Sequence, residues 1–515
     1  MAALRYLAMR HWLALSALLV SAGVARADDP PPEPLKPDAD SPPAEGEPPP
    51  EEAIEDPDEP IDEPIDPMDE ELGPLLFIER VDVEGNTATQ DDVVRRALPI
   101  QPGDAVRGSD KRLQKAKFKV LALGFFRDVK IRLAKGSTRG QVVLVVTVVE
   151  RGTIVLNRLW FGSNSLSPYW AGADLSERNL LGLGVTLGGG FIYSGFGDIE
   201  GGRSQWAGEL RFAVPSIRGS RFGGHSSLTL VHGAEAFRVA GSTGEPAPEE
   251  LQAFPYRRFG WRGGLTYDVT GLTRVSGGLR LEEISADLPL APTQVLDDGR
   301  VVGVDLHLEP RTSTVTTLNA VFDRDTRPDP ILSHSGSHIA VGAEISAPFS
   351  DYQFGSLYGR FDKFWPRKNE KHAIGLKIAG GVVIGNAPRF DRIHIADVDR
   401  MLTPRALGLV LSTAAPLEIL QTRPDKPTYG DIGGSVTLEY AITLWRGPGK
   451  KRVYGSDIFF GVGLWGLAEM KDLKTRDRAL YDSLPIDMYV DAGIRLDTDI
   501  GIFELTVANA LGRVR

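Results

Sequence analysis

The chain has 515 residues, 42% hydrophobic and 25% charged, with a formal net charge of −11 and no cysteine. That length exceeds one ordinary core, and the missing thiols exclude a disulfide framework, a thiolate metal site and a cysteine nucleophile. The acidity is local: residues 28–73 hold 19 Asp and Glu against one Lys, and nothing in the rest points to a nucleic-acid surface.

Arg5 and Arg10 precede a short apolar run, Trp12 to Val24, and Ala25-Arg26-Ala27 has the small-x-small pattern of a cleavage site. Residues 1–27 therefore read as a secretory signal peptide. The run is shorter than the roughly 20 residues a spanning helix needs. No later run reaches 18 apolar residues, so any later membrane insertion has to be by a closed β-barrel, which pairs its backbone groups internally.

Residues 28–74 read as a linker. The acidic stretch contains 14 prolines and the tandem Glu59-Pro-Ile-Asp62, Glu63-Pro-Ile-Asp66, with few large apolar side chains. Such a segment cannot bury enough surface to offset chain entropy, which predicts an extended, disordered tether. Two roles are open to it: a solvated spacer, or an acidic bait for a basic periplasmic partner.

Residues 75–151 read as a small α+β domain in the order β-α-α-β-β. An extended run from Phe77 to Val83 meets a Gly85-Asn86 turn, where both residues tolerate positive φ. A helix opened by Thr87 or Thr89 follows, then a second from Ser109 to Leu123, with Gly124 suited to the left-handed position after it. Phe125 and Phe126 lead into a strand from Phe126 to Ala134, and alternation sends them to opposite faces, so at least one enters the core. The strand Gln141 to Glu150 closes the domain. Its three-stranded sheet leaves a free edge onto which an extended polypeptide can add a strand.

Residues 152–515 show short alternating segments between Gly, Pro, Asp and Asn turns. Val436, Leu438, Tyr440, Ile442 and Leu444 share one face, opposite Ser435, Thr437, Glu439, Ala441 and Thr443. Val185, Leu187, Phe191 and Tyr193, then Met488, Val490, Ile494 and Leu496, then Phe503, Leu505 and Val507, repeat the pattern. One face suits lipid and the other a wet lumen, and at roughly 22 residues per strand and connection the length predicts an antiparallel transmembrane barrel of about 16 strands. The fold class is thus mainly β. Asp491, Arg495 and Glu504 face inward with Glu439, which predicts a lumen salt-bridge network. The segments from Gly241 to Phe254 and Asp287 to Val302 read as surface loops.

Ile78-x-x-Val81-x-Val83-x-Gly85-Asn86, Leu98-x-Ile100-x-x-Gly103-Asp104, Leu123-Gly-Phe-Phe126-x-Asp128-Val129 and Val148-Val-Glu150 together resemble a POTRA domain, the periplasmic module that precedes the barrel in the Omp85 superfamily. The resemblance continues through the barrel. Glu177-Arg-Asn-Leu-Leu-Gly182-Leu-Gly184 is similar to the family's approach to its first strands, and Phe322-Asp-Arg-Asp-Thr-Arg327 to its mid-barrel turn. Tyr429-Gly-Asp-Ile-Gly-Gly434 resembles the strand after the long sixth loop, and Gly493-Ile-Arg-Leu-Asp-Thr-Asp-Ile-Gly501 the final hairpin.

In that family the sixth loop folds into the lumen and carries an Arg-Gly motif whose arginine contacts an acidic residue. Here the equivalent is Pro404-Arg405-Ala-Leu-Gly408, without a glycine directly after the arginine, and the acidic position falls at Gly461. Arg405 and Gly408 are the candidate lid residues. Glu439 and Asp491 are alternative partners for Arg405, and an ordinary loop arginine is the other reading.

No Gly-x-Ser-x-Gly, His-Glu-x-x-His or phosphate-cradling loop is present, which predicts a protein that is not an enzyme and needs no cofactor or metal. The resemblance implies an outer-membrane assembly or translocation protein. Its partners would be the lipid bilayer, unfolded clients and periplasmic accessory proteins, with a monomeric barrel that opens at a seam between its first strands, near Val185, and its last, near Val507. The alternative is a structural or pore-forming barrel.

Overall fold

The computed structural model describes residues 74–515 apart from 109, 122, 164–166, 218–219, 242–246, 271, 329–331, 368–370, 395–396, 398–404, 412–428, 447–452, 471–485, 499 and 514–515. The expected signal peptide and nearly all of the expected linker lie outside the described residues.

The first part of the structure is the small α+β domain. It runs β1 (Leu76–Glu84), α1 (Asp91–Ala97), β2 (Ala105–Val106), α2 (Lys111–Leu121), β3 (Phe126–Lys135) and β4 (Gln141–Glu150), with sheet order β2-β1-β4-β3. The Gly103 turn brings the chain back antiparallel to Leu76 and Phe77, so a two-residue strand joins the expected three. Strand β4 lies between β1, to which it is parallel, and β3, to which it is antiparallel. Its continuous valine run follows from that central position: Val142, Leu144, Val146 and Val148 join the core with Ile78, Val81, Val94 and Ile100. Phe125 and Phe126 both enter that core, ring centroids 4.9 Å apart. Phe125 precedes the strand, so strict alternation does not separate the pair.

Helix α1 begins later than the threonines suggested. Its N-cap is Gln90, with no side-chain cap, because Thr87 and Thr89 turn toward Glu150 instead. Gly85 has φ +85°, and a Cβ there would run into the Val148 carbonyl oxygen. Asn86 then donates from Nδ2 to the Thr89 carbonyl oxygen at 2.8 Å and to Asp91 Oδ1 at 2.7 Å. Gly124, at φ +83°, ends the turn after α2.

The second part is a fifteen-stranded antiparallel sheet among the described residues. Its strands are β5 (Ile154–Gly162), β6 (Trp170–Leu180), β7 (Val185–Ser194), β8 (Gln205–Val214), β9 (Phe222–Arg238), β10 (Leu251–Thr270) and β11 (Thr273–Ala286). After a short hairpin, β12 (Thr293–Val295) and β13 (Val301–Gly303), come β14 (Ser313–Asp325), β15 (Gly336–Ser346), β16 (Phe354–Arg367) and β17 (His372–Gly385). The next connection carries the short pieces β18 (Ile393–His394), β19 (Arg405–Ala406), β20 (Leu409–Val410) and β21 (Tyr429–Gly430). Strands β22 (Ile432–Arg446), β23 (Val453–Ala468), β24 (Ile486–Thr498) and β25 (Gly501–Arg513) complete the sheet.

Fifteen strands sit within one of the expected number, because the connection between β17 and β22 uses residues that the uniform spacing assigned to strands. Leu187, Phe191, Tyr193, Val436, Leu438, Tyr440, Leu505 and Val507 are exposed on the outside, as a lipid-facing surface requires, while Glu439 and Ala441 are buried inside. No described helix is long and apolar enough to cross a membrane; the strands do so. Val185 opens β7, the third strand of this sheet, so it does not border the seam.

Gly85→Ala should cost the small domain about 1–3 kcal/mol, the cost of forcing a side chain into the left-handed region. Faster amide hydrogen exchange in β1 and β4 checks this; unchanged exchange contradicts it.

Candidate functional site

Three places concentrate polar groups that the fold does not need merely to close a barrel: the joint between small domain and barrel, the loop inside the lumen, and the seam.

At the joint, the Glu150 carboxylate ends β4 beneath the turn leading to α1. It accepts the amides of Thr87 (2.9 Å), Ala88 (2.9 Å) and Thr89 (2.7 Å) and the Thr87 hydroxyl (2.6 Å). Burial disfavours its charge, but the donors of Thr87, Ala88 and Thr89 together outweigh burial and hold its pKa down at about 2. The turn so fixed meets the β6–β7 turn. Asn179 Nδ2 donates to Thr89 Oγ1 at 2.8 Å, Asn179 Oδ1 accepts the Gly184 amide at 2.7 Å, and the Gln90 amide donates to the Gly182 carbonyl at 2.9 Å. The Glu177–Gly184 motif is therefore the turn between the second and third barrel strands, and it docks the small domain.

Inside the lumen, the connection between β17 and β22 is tied to the wall by two sets of charges. Asp391 accepts two hydrogen bonds from Arg280 of β11, at 2.7 and 3.0 Å. Arg280 is 1% exposed and also contacts Glu282 and Glu344, so its charge is shared among three carboxylates. Glu235 of β9 accepts from Arg389 Nε at 2.6 Å and from the Tyr429 hydroxyl at 2.8 Å. Phe390 lies between, its ring 4.5 Å from that of Tyr256 and 4.4 Å from the Arg258 guanidinium.

Arg405 does not reach Glu439 or Asp491. Its guanidinium contacts Asp397 at 3.3 Å and the Phe390 carbonyl at 3.4 Å, both within the same loop. Gly408, at φ +85°, closes the β19–β20 hairpin, and its carbonyl lies 3.4 Å from the Tyr256 hydroxyl. Arg405 thus ties the loop to itself, and Asp391, Arg389 and Tyr429 tie it to the wall.

Glu439 has other partners. Arg495 donates to it twice at 2.7 Å, and Lys377 Nζ donates at 2.6 Å. Arg495 also pairs with Glu504 at 2.6 Å and lies 3.8 Å from the Phe459 ring centroid. Asp491 stands outside that network. It is opposite Gly461 in register, occupies the space where a Cβ at Gly461 would sit, and its Oδ1 is buried without a hydrogen-bond partner.

Sequence reasoning missed Glu150, Asn179, Glu235, Arg280, Arg389 and Asp391. The inward parity of Glu235 and Arg280 on their strands was a usable signal; the loop residues offered none without the fold.

The seam lies between β5 and β25, the two ends of the sheet order. With an odd number of antiparallel strands, these two run in the same direction. The β9–β10 ladder extends without a break from Leu251 opposite Arg238 to Tyr267 opposite Phe222. Between β5 and β25, among the described residues, there is one backbone hydrogen bond: the Leu156 amide to the carbonyl of Ile500, just before β25, at 2.7 Å. Arg151 adds a side-chain hydrogen bond to the Thr498 carbonyl at 3.2 Å.

Residues 76–151 match the family model described as POTRA, surface antigen variable number repeat, and residues 179–397 match the Omp85 superfamily domain. Outer membrane protein assembly factor BamA of Nitratidesulfovibrio vulgaris is 30% identical over 120 residues, 23% of this chain and 15% of that protein. BamA of Neorickettsia risticii is 32% identical over 110 residues, 21% of this chain and 14% of that protein. The chain thus spans about 15% of the length of the curated relatives it matches. The fold is similar to that of CdiB from Escherichia coli, with a TM-score of 0.56 and 11% identity, covering 85% of this chain and 73% of that one. The fold defines a Gram-negative outer-membrane β-barrel with a POTRA domain on its periplasmic side. The chain belongs to the Omp85 superfamily.

Replacing Arg280 with Met leaves three carboxylates around an uncharged side chain, and breaking such a buried pair costs about 3–5 kcal/mol. Arg280→Met should therefore lower the urea midpoint of the detergent-solubilised barrel and expose the loop to protease, whereas Arg405→Ala should do so much less. Equal effects contradict this division of roles. Because the folded pKa of Glu150 is depressed, its contribution is fully present above its unfolded value near 4.5 and fades as pH falls toward about 2. Exchange protection of the Thr87, Ala88 and Thr89 amides, corrected for intrinsic rates, should fall over that window in the native chain, and Glu150→Gln should abolish this dependence.

Proposed function

We propose that this protein assembles or translocates other polypeptides at the outer membrane: the POTRA edge takes up an extended client segment, and the barrel receives it at the β5–β25 seam. The observation that carries this reading is that the seam has, among the described residues, a single backbone hydrogen bond, Leu156 to Ile500, in a sheet whose other neighbours are joined by paired ladders. In hydrocarbon each unpaired backbone group costs several kcal/mol, so such an edge gains by pairing with an incoming strand. The POTRA domain is held against the barrel rim by Thr89, Gln90, Asn179 and Gly182, which keeps a captured segment close to the barrel.

A second reading, a structural or pore-forming barrel, is favoured by the lumen loop. Arg405 is spent on Asp397, and the wall contacts of Asp391 and Arg389 hold the loop within the lumen. The candidate lid role of Arg405 and Gly408 belongs to the first reading, with the loop moving when the seam is occupied.

The native chain has no cysteine, so Leu156→Cys with Ile500→Cys introduces one defined pair across the seam. Oxidation should abolish client assembly or export in cells, and reduction should restore it. Full activity of the oxidised, crosslinked barrel rejects seam opening.

A further inference from the structure

The POTRA domain is electrically divided. Residues 76–106 carry six Asp and Glu against three Arg, whereas residues 107–139 carry eleven Lys and Arg against two Asp. The basic half contains β3, a long free edge of the sheet, and α2, which packs against it. The opposite edge, β2, is only two residues long. Arg127, Lys130, Arg132 and Lys135 are all exposed along β3, and Lys117 is exposed on α2. Arg132 is paired with Glu84 at 3.2 Å. Lys117, Arg127, Lys130, Lys135 and Arg139 make no ion pair among the described residues, and the two aspartates offer little compensation: Asp110 is held by Arg112 at 2.7 Å, and Asp128 accepts the Val129 amide.

We propose that the β3 edge of the POTRA domain, with its exposed lysines and arginines and the adjoining α2, is a docking surface for acidic polypeptide segments in extended conformation. The proposal rests on the reading that the POTRA edge captures clients, and it narrows their chemistry. Lysines on a sheet edge are a common defence against apolar strands. They do not repel an acidic strand, and on α2 the same charge continues at Lys117, where there is no edge to protect. A segment added to β3 would pair its backbone with the unpaired groups of the edge, while acidic side chains on one face of it lie along Lys130 and Arg132, and those on the other face reach Lys135. Attraction of this kind between exposed charges is screened by salt, with a Debye length of roughly 8 Å at physiological ionic strength.

The full chain in detergent micelles is titrated with three fluorescein-labelled decapeptides: one alternating Glu and Val, one alternating Lys and Val, and the acidic one N-methylated at alternate residues. The acidic peptide should bind at least tenfold more tightly than the other two. Lys130→Glu with Lys135→Glu should weaken it at least tenfold, with an unchanged melting curve, and should strengthen the lysine peptide. Equal affinity for the acidic and lysine peptides overturns the proposal, as does an unaffected double variant. Undiminished binding of the N-methylated peptide also overturns it, since adsorption without strand pairing would then suffice. So does capture of phosphatidylglycerol vesicles through Lys130 and Lys135 in place of the peptide. Loss of client assembly in the crosslinked Leu156→Cys, Ile500→Cys barrel is scored separately. If it persists while peptide binding fails, the assembly reading stands and the charge preference falls.

Discussion

The constraint on which this structure depends is that no backbone amide or carbonyl can be left unpaired in hydrocarbon. It turns a sequence of weak alternating segments into one sheet, and it makes the two ends of that sheet the place of greatest unmet pairing. Fourteen of the fifteen described strand-to-strand boundaries are ladders; the fifteenth, between β5 and β25, is held by the Leu156 amide and the Ile500 carbonyl. The same requirement reappears in water at the POTRA sheet, where β3 presents an unpaired edge at much lower cost because solvent can satisfy it. The chain thus carries two edges of different urgency.

Between these edges, polarity is used to fix geometry. At the joint, one carboxylate, Glu150, organises three successive amides so that the turn before α1 fits the turn between β6 and β7. In the lumen, Arg280 sits among Glu282, Glu344 and Asp391, and the last of these belongs to the loop. Charges this deeply buried must be paired to be tolerated, so the loop is part of what the wall arginine needs. The signs run both ways between wall and loop: Arg280 on the barrel meets Asp391 on the loop, and Arg389 on the loop meets Glu235 on the barrel.

The fold was largely legible because its signals are local. The turn at Gly85-Asn86, the valine-rich β4 and the alternation from Ser435 to Leu444 each report a backbone state through side chains a few residues apart. The functional geometry was less legible because its partners are far apart in the chain. Glu150 reads as the end of a strand until Thr87, Ala88 and Thr89 are folded onto it. Asp491 and Arg495 look equivalent by parity, yet only Arg495, a cation with donors, pairs with Glu439, while the Asp491 carboxylate fills the space that Gly461 leaves. The seam lies two strands before Val185 because the chain enters the barrel at Ile154, in a strand whose alternation is weaker than that of the Val185 segment.

The most direct test of the account is depletion of the protein in its native cell, followed by a quantitative census of outer-membrane and secreted proteins. The account predicts loss of correctly assembled barrels or of a dedicated exported client, before any general change in membrane composition. An unaltered census after complete depletion would contradict it and leave a structural or pore-forming barrel as the better description.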